Sequence, residues 1–117
     1  MIFVAEGEAQ VDALAGLGLV ATTSPMGAGK WPDEFGDYLA GAGQVVVLPD
    51  DDDPGRCHAV DVVRSVSRCV ADVRVLELWP RGQTRADIID WLAALRSEPE
   101  HARDRLLQMA ETATTGS

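Results

Sequence analysis

Four consecutive carboxylates, Asp50-Asp51-Asp52-Asp53, stand between the apolar run Val45-Val46-Val47-Leu48 with its Pro49 and the turn-like Pro54-Gly55-Arg56. No folding argument favours four like charges side by side, because each raises its neighbours' pKa and pushes the segment apart. A bound divalent cation offsets that repulsion. A second acidic spot has the same setting: Glu6-Gly7-Glu8 directly follows Ile2-Phe3-Val4-Ala5. Acidic clusters at the ends of two short apolar runs carry the oxygen donors of a Mg²⁺ (or Mn²⁺) site suited to phosphate chemistry. Asp50 and Asp52 can converge on one ion from a single turn. Glu6 can complete the shell or act as a base on a hydroxyl. Gly55 leaves room for a phosphate at the start of the following helix, whose free N–H groups and dipole favour anions. Arg56, one residue on, is placed to hold that phosphate.

These residues need a scaffold, and the hydrophobic pattern predicts one. Residues 2–5, 19–22, 44–48 and 72–78 read as short strands; the Val-rich third one is expected to be central and covered on both faces. Helical spacing is expected over residues 8–17, 33–39, 54–70, 86–95 and 99–110. Asp53 is the expected N-cap of the third helix, with Pro54 at its first position. Val62, Val63, Val66 and Val70 mark that helix's buried side. Strands alternating with helices predict an α/β fold: a Rossmann-like, four-stranded, mainly parallel sheet with right-handed crossovers and helices on both faces. In such sheets ligands sit beyond the carboxyl ends of the strands, where strand order reverses. If the first strand lies beside the third, Glu6 and Asp50 project into one crevice. Residues 1–96 are expected to form this domain, and residues 97–117 an amphipathic helix with a frayed tail.

The bulk numbers narrow the function classes. The chain has 117 residues, 46% of them hydrophobic and 25% charged, as one soluble domain with a real core would. Its 19 acidic residues outweigh 10 basic ones, giving a net charge of −9. That excludes a domain that grips nucleic acid by broad electrostatics alone, since such surfaces are basic. It leaves room for nucleic-acid chemistry, because bound metal partly neutralises the Asp run. All the basic residues but Lys30 are Arg, the better residue for forked phosphate contacts. Cys57 and Cys69 have no metal-ligand spacing and read as reduced thiols of a cytoplasmic protein. No leader-like segment and no apolar run of about 18 residues is visible.

Glu6-Gly7-Glu8 followed, one β-α unit on, by Asp50-x-Asp52-x-x-Gly55 resembles the Toprim domain, which is shared by primases, topoisomerases of the type IA and type II classes, recombination-repair proteins and some nucleases. The resemblance covers residues 2–95. Within that group, Ala21-Thr22-Thr23-Ser24-Pro25-Met26-Gly27-Ala28-Gly29-Lys30-Trp31, Leu48 through Arg56, and Asp87-Ile88-Ile89-Asp90-Trp91-Leu92 look like the corresponding segments of phage- and plasmid-type primases. The resemblance implies a Mg²⁺-dependent nucleotidyltransferase that builds RNA primers on a DNA template from nucleoside triphosphates. Further primase or helicase domains would be its partners, and no membrane is implied. It also implies Glu6 as the acid/base or metal group, Asp50, Asp52 and Asp87 as metal ligands, and Lys30 facing phosphates. The chain departs from the family pattern at Asp51, where an amide or small residue is common, and at Arg81-Gly82 and Arg85-Ala86-Asp87, where a Lys-containing pair often stands.

Other readings compete. The same fold supports phosphodiester cleavage, as in Toprim nucleases, or a non-catalytic, metal-organised module of a larger replication protein. A calcium loop half-fits Asp50, Asp52, Gly55 and Asp61, but Pro54 replaces a ligand and a strand precedes it. Gly27-Ala28-Gly29-Lys30 hints at a P-loop, but Ser24 and Trp31 stand where Gly and Ser or Thr are needed. A receiver domain normally needs an acidic pair after its first strand and a Lys after its fifth, whereas this chain offers Glu6-Gly7 and no fifth strand. Asp51 is expected to face solvent, His58 to lie on a helix surface, Trp91 to pack in the core, and Asp90 to cap or pair locally.

Overall fold

The computed structural model describes residues 1–24, 31–79, 82 and 84–115. The strands are β1 (Ile2–Val4), β2 (Ala21–Thr22), β3 (Val45–Val47), β4 (Val73–Val75) and β5 (Thr114–Thr115). The helices are α1 (Glu8–Gly16), a 3₁₀ helix (Asp33–Leu39), α2 (Asp53–Val66), α3 (Ile88–Leu95) and α4 (Pro99–Glu111). The sheet order is β2-β1-β3-β4-β5. β1 pairs in parallel with both β2 and β3, and β3 with β4, while β5 runs antiparallel to β4. The four-stranded parallel sheet expected from the sequence is therefore present, with a fifth, antiparallel strand on its edge.

Successive strand residues point to opposite faces, and the core divides accordingly. Val4, Val45, Val47 and Val73 pack with Ala59, Val62, Val63, Val66 and Val70 from α2 and the segment after it, and with Leu39 of the 3₁₀ helix. Phe3, Val46 and Leu76 pack on the other face with Leu14 of α1, Ile88 of α3, and Leu106 and Ala110 of α4. All three β3 side chains are buried, as a central strand requires. Trp91 is partly buried against the second cluster.

Three expectations need correction. The second helix is 3₁₀ rather than α. Gly36 brings it so close to α2 that an added Cβ would lie 2.7 Å from the Ser65 carbonyl oxygen. The tail does not fray throughout: Thr114 and Thr115 pair with Val75 and Arg74. Arg74 on β4 donates to the carbonyls of Ala110 and Glu111, closing the C-terminal end of α4 and bringing the chain back to the sheet edge. Finally, α2 begins one residue early, with Asp52 as N-cap and Asp53 inside the first turn. Among the described residues, no helix is long and apolar enough to cross a membrane. Cys57 and Cys69 are both free.

Candidate functional site

The register between β1 and β3 decides the site. Ile2, Phe3 and Val4 lie opposite Val45, Val46 and Val47, so both strands end together at their carboxyl edge. β1 then leads to α1 and β2 on one side, and β3 to α2 and β4 on the other, which makes this the place where strand order reverses. Glu6 leaves β1 and Asp50 leaves β3 at the same point. Glu6 Oε2 accepts a hydrogen bond from the Asp50 backbone N–H at 2.8 Å. The residues singled out at the two strand ends therefore meet.

Gly55 shows how tightly they meet. A Cβ there would lie 2.7 Å from Asp52 Oδ1, 2.8 Å from the Asp50 carbonyl oxygen and 2.8 Å from Glu6 Oε2. Only glycine leaves space for all three groups at the first turn of α2. Asp52 Oδ1 accepts from the Gly55 N–H at 2.6 Å, the capping bond of α2. The cap role expected of Asp53 thus belongs to Asp52, and one of its two oxygens is committed to it.

Asp87 joins through Gln10. The Gln10 Nε2 donates to Asp50 Oδ1 at 3.2 Å and to Asp87 Oδ2 at 3.3 Å. The other oxygen of Asp87 caps α3, accepting from Ile89 N and Asp90 N, while Asp90 returns a bond to the Asp87 N–H. This reciprocal capping box fixes Asp87 in place and gives Asp90 its local role. Trp79 braces the same turn, donating from Nε1 to the Asp87 carbonyl at 3.1 Å.

Adjacent aspartates meet opposite fates. Asp51 does not face solvent; it is 2% exposed. The Arg56 guanidinium lies 2.6 Å away, and Thr84 donates to its Oδ2 from both Oγ1 and backbone N–H. These bonds hold the Asp51 carboxyl well below its usual range, Arg56 contributing most. Its backbone pairs with the Thr84–Ala86 segment, accepting from Arg85 N and donating to Ala86 O, which stabilises Arg85 in a left-handed conformation at φ 61°. Asp50 has no such partner. Burial, and then the neighbouring Glu6 and Asp87 charges, push its pKa up to about 7, and the bond from Gln10 only partly opposes them. Among the described residues, no ion pair joins a basic side chain to Glu6, Asp50 or Asp87.

Arg56, expected to contact phosphate, is engaged by acids on both sides: Asp51, and Glu77 at 2.6 Å. Its Nη1 is buried without a partner among the described residues. Lys30 lies outside the described residues. His58 is buried rather than on the surface, edge-on to Trp31, and neither ring nitrogen has a partner among the described residues. Sequence reasoning missed Gln10 and Thr84. Gln10 was hidden among the polar residues of a first helical turn. Thr84 had no signal beyond its place in the loop before Asp87.

The donor set is oxygen only, which suits a hard cation. As the side chains stand, no three described His, Cys, Asp or Glu residues are close enough together to hold one metal ion. Mg²⁺ asks for less than that: it is commonly held by one or two carboxylates and keeps several waters. The Glu6–Asp50 contact, half-buried and without a positive partner among the described residues, meets that requirement, with Asp87 one amide away. A shallow hollow lined by Leu95, His101, Asp104, Arg105 and Gln108 lies on α3 and α4 and includes none of these carboxylates. Compared with protein-family models, curated proteins and solved structures, the chain matches none.

Proposed function

We propose that this chain is a Toprim-type catalytic domain that performs Mg²⁺-dependent nucleotidyl transfer in RNA primer synthesis on a DNA template. One observation carries the reading: Glu6 and Asp50, distant in sequence, touch at the carboxyl ends of β1 and β3, and the half-buried Asp50 carboxyl has no counter-charge among the described residues. Glu6 and Asp50 would hold the cation directly, with Asp52 and Asp87 each contributing the oxygen least committed to capping. The bound ion would supply charge neutralisation at the phosphates and a lowered pKa for the attacking hydroxyl. Glu6 is fixed by the Asp50 N–H, which orients its carboxylate to accept a proton from that hydroxyl. The room that Gly55 leaves at the start of α2 is taken by Glu6 Oε2, Asp52 Oδ1 and the Asp50 carbonyl oxygen rather than left open for a phosphate, so the phosphate would be met through the cation. The buried Asp51–Arg56 pair fixes the loop that presents Asp50 and Asp52.

The test has two steps. Millimolar Mg²⁺ or Mn²⁺ should raise the melting temperature, because binding to the folded state alone stabilises it. Asp50→Asn should remove most of the rise. A melting curve indifferent to either metal defeats the proposal. A single-stranded template, an end-labelled oligonucleotide and nucleoside triphosphates then separate the chemistries. New or extended strands support primer synthesis, whereas shortening of the labelled strand assigns the site to phosphodiester cleavage.

A further inference from the structure

Gln10 occupies the third position of α1, after the N-cap Gly7. A glutamine there commonly folds back onto the N-cap N–H as half of a capping box. This one does not: α1 has no side-chain cap bond. Instead the side chain reaches past Gly7, whose added Cβ would sit 4.0 Å from Nε2, and ends between two carboxylates from other parts of the chain. Its Nε2 serves Asp50, 40 residues away, and Asp87, 77 residues away. The residue is 7% exposed, and its Oε1 is buried with no hydrogen-bond partner among the described residues. A buried, unpaired amide oxygen costs free energy unless something satisfies it. In a cluster of carboxylates, which offer no donor when ionised, a bound cation or a water can satisfy it.

We infer that Gln10 is the positioning residue of the strand-end cluster, bridging Asp50 and Asp87 through Nε2 and presenting Oε1 as the neutral oxygen that meets a bound divalent cation or its water. The inference rests on the metal reading above and extends it. Glu6, Asp50 and Asp87 supply the charge; Gln10 supplies an oxygen without adding a further charge. It also ties the β3 end to the α3 cap, so that Asp87 belongs to the site although it leaves the sheet one strand farther on.

The experiment uses Mn²⁺ alone on the full chain. Affinity is read by the loss of the free-ion electron paramagnetic resonance signal, and metal-free stability by thermal melting. Gln10→Met keeps the size and removes both polar atoms; Mn²⁺ affinity should fall about 10- to 100-fold, as for other residues that orient metal ligands. Gln10→Glu should lower the metal-free melting temperature, because a further carboxylate repels Asp50 and Asp87, yet bind Mn²⁺ at least as tightly as the parent chain. A mere packing role would make Gln10→Glu weaken both quantities, and that result overturns the inference. Gln10→Met binding within twofold of the parent overturns it as well. Should Gln10→Met fail to fold, Gln10→Glu decides alone. A parent chain that binds no Mn²⁺ defeats the metal reading and this inference together, whereas parent binding with indifferent Gln10 variants defeats this inference only.

Discussion

Asp50 and Asp51 are neighbours, yet they titrate in opposite directions, and the difference has measurable consequences. The Asp50 pKa rises from an ordinary 3.8 to about 7, so the folded chain keeps a proton there that the unfolded chain has released. Its contribution to stability is greatest below about pH 4 and is lost as pH rises towards 7. Asp51 shifts the other way, and its contribution is lost as pH falls through the acid range. Without metal, the melting temperature should therefore fall between pH 5 and pH 8, and Asp50→Asn should flatten that fall. An unchanged slope in the variant would show that Asp50 is not the group responsible. Asp52 separates structure from ligation. Asn is as good an N-cap as Asp, so Asp52→Asn should melt like the parent without metal but respond less to Mg²⁺. Asp52→Ala should lose about 1 kcal/mol of stability, within the 0.5–2 kcal/mol range for a lost cap. Equal melting of the two variants would remove the capping role. Much of this site was legible in the sequence. Glu6, Asp50 and Asp52 follow apolar runs, and strand ends are where parallel sheets place ligands. What the sequence concealed was direction: a run of identical aspartates does not say which carboxylate turns to the crevice, which to Arg56 and Thr84, and which caps the helix. That depends on contacts 30 or more residues away and on a one-residue choice of helix start.

At the scale of elements, two glycines make opposite predictions. Gly36 allows the 3₁₀ helix to lie on α2, its N–H donating to Ser65 Oγ at 3.1 Å. Gly36→Ala drives a Cβ to 2.7 Å from the Ser65 carbonyl oxygen, against backbone that cannot turn aside. The helix must move away, at a cost of about 1–3 kcal/mol typical of overpacking. The thermal response to Mg²⁺ should survive, because the carboxylates lie elsewhere. Gly55→Ala drives its Cβ against Glu6 Oε2, Asp52 Oδ1 and the Asp50 carbonyl. It should lower stability and suppress the Mg²⁺ response together. Thermal melting of both variants with and without Mg²⁺ is the check, and a normal metal response in Gly55→Ala would mean the three oxygens need not converge. The sequence located most elements because valine-rich runs bounded by Gly, Pro and Asp are strong signals. It overextended strand 4, covering residues 72–78 where the strand holds only Val73–Val75, since apolar character continues into the buried Leu76, whose N–H donates to the Val47 carbonyl just past the strand. It missed β5 because a Thr-Thr pair has no apolar period; Arg74 and the open edge of β4 place it.

The whole molecule carries a net charge of −9, and that sets how it can meet a polyanion. Arg56 and Arg74 make ion pairs with the chain's own acids, and Arg56 is largely buried in its pair. Long-range attraction to DNA is therefore weak, and the acidic crevice at β1 and β3 repels a phosphate directly. One divalent ion offsets two of the nine excess charges at the point where a backbone phosphate would approach. Binding of single-stranded DNA should then depend on the metal rather than on a basic surface. Fluorescence anisotropy with a labelled oligonucleotide at low salt should show affinity weaker than about 10⁻⁴ M in chelator, the weak end of non-specific binding. Mg²⁺ should tighten it. Because few counterions are displaced by such a contact, the salt dependence should correspond to about one or two phosphates. Asp50→Asn should blunt the gain from Mg²⁺, since the proposed site would lose a ligand. Tight binding in chelator with a steep salt dependence would instead require an extended basic surface, and would place nucleic acid away from the carboxylates that Glu6 and Asp50 bring together.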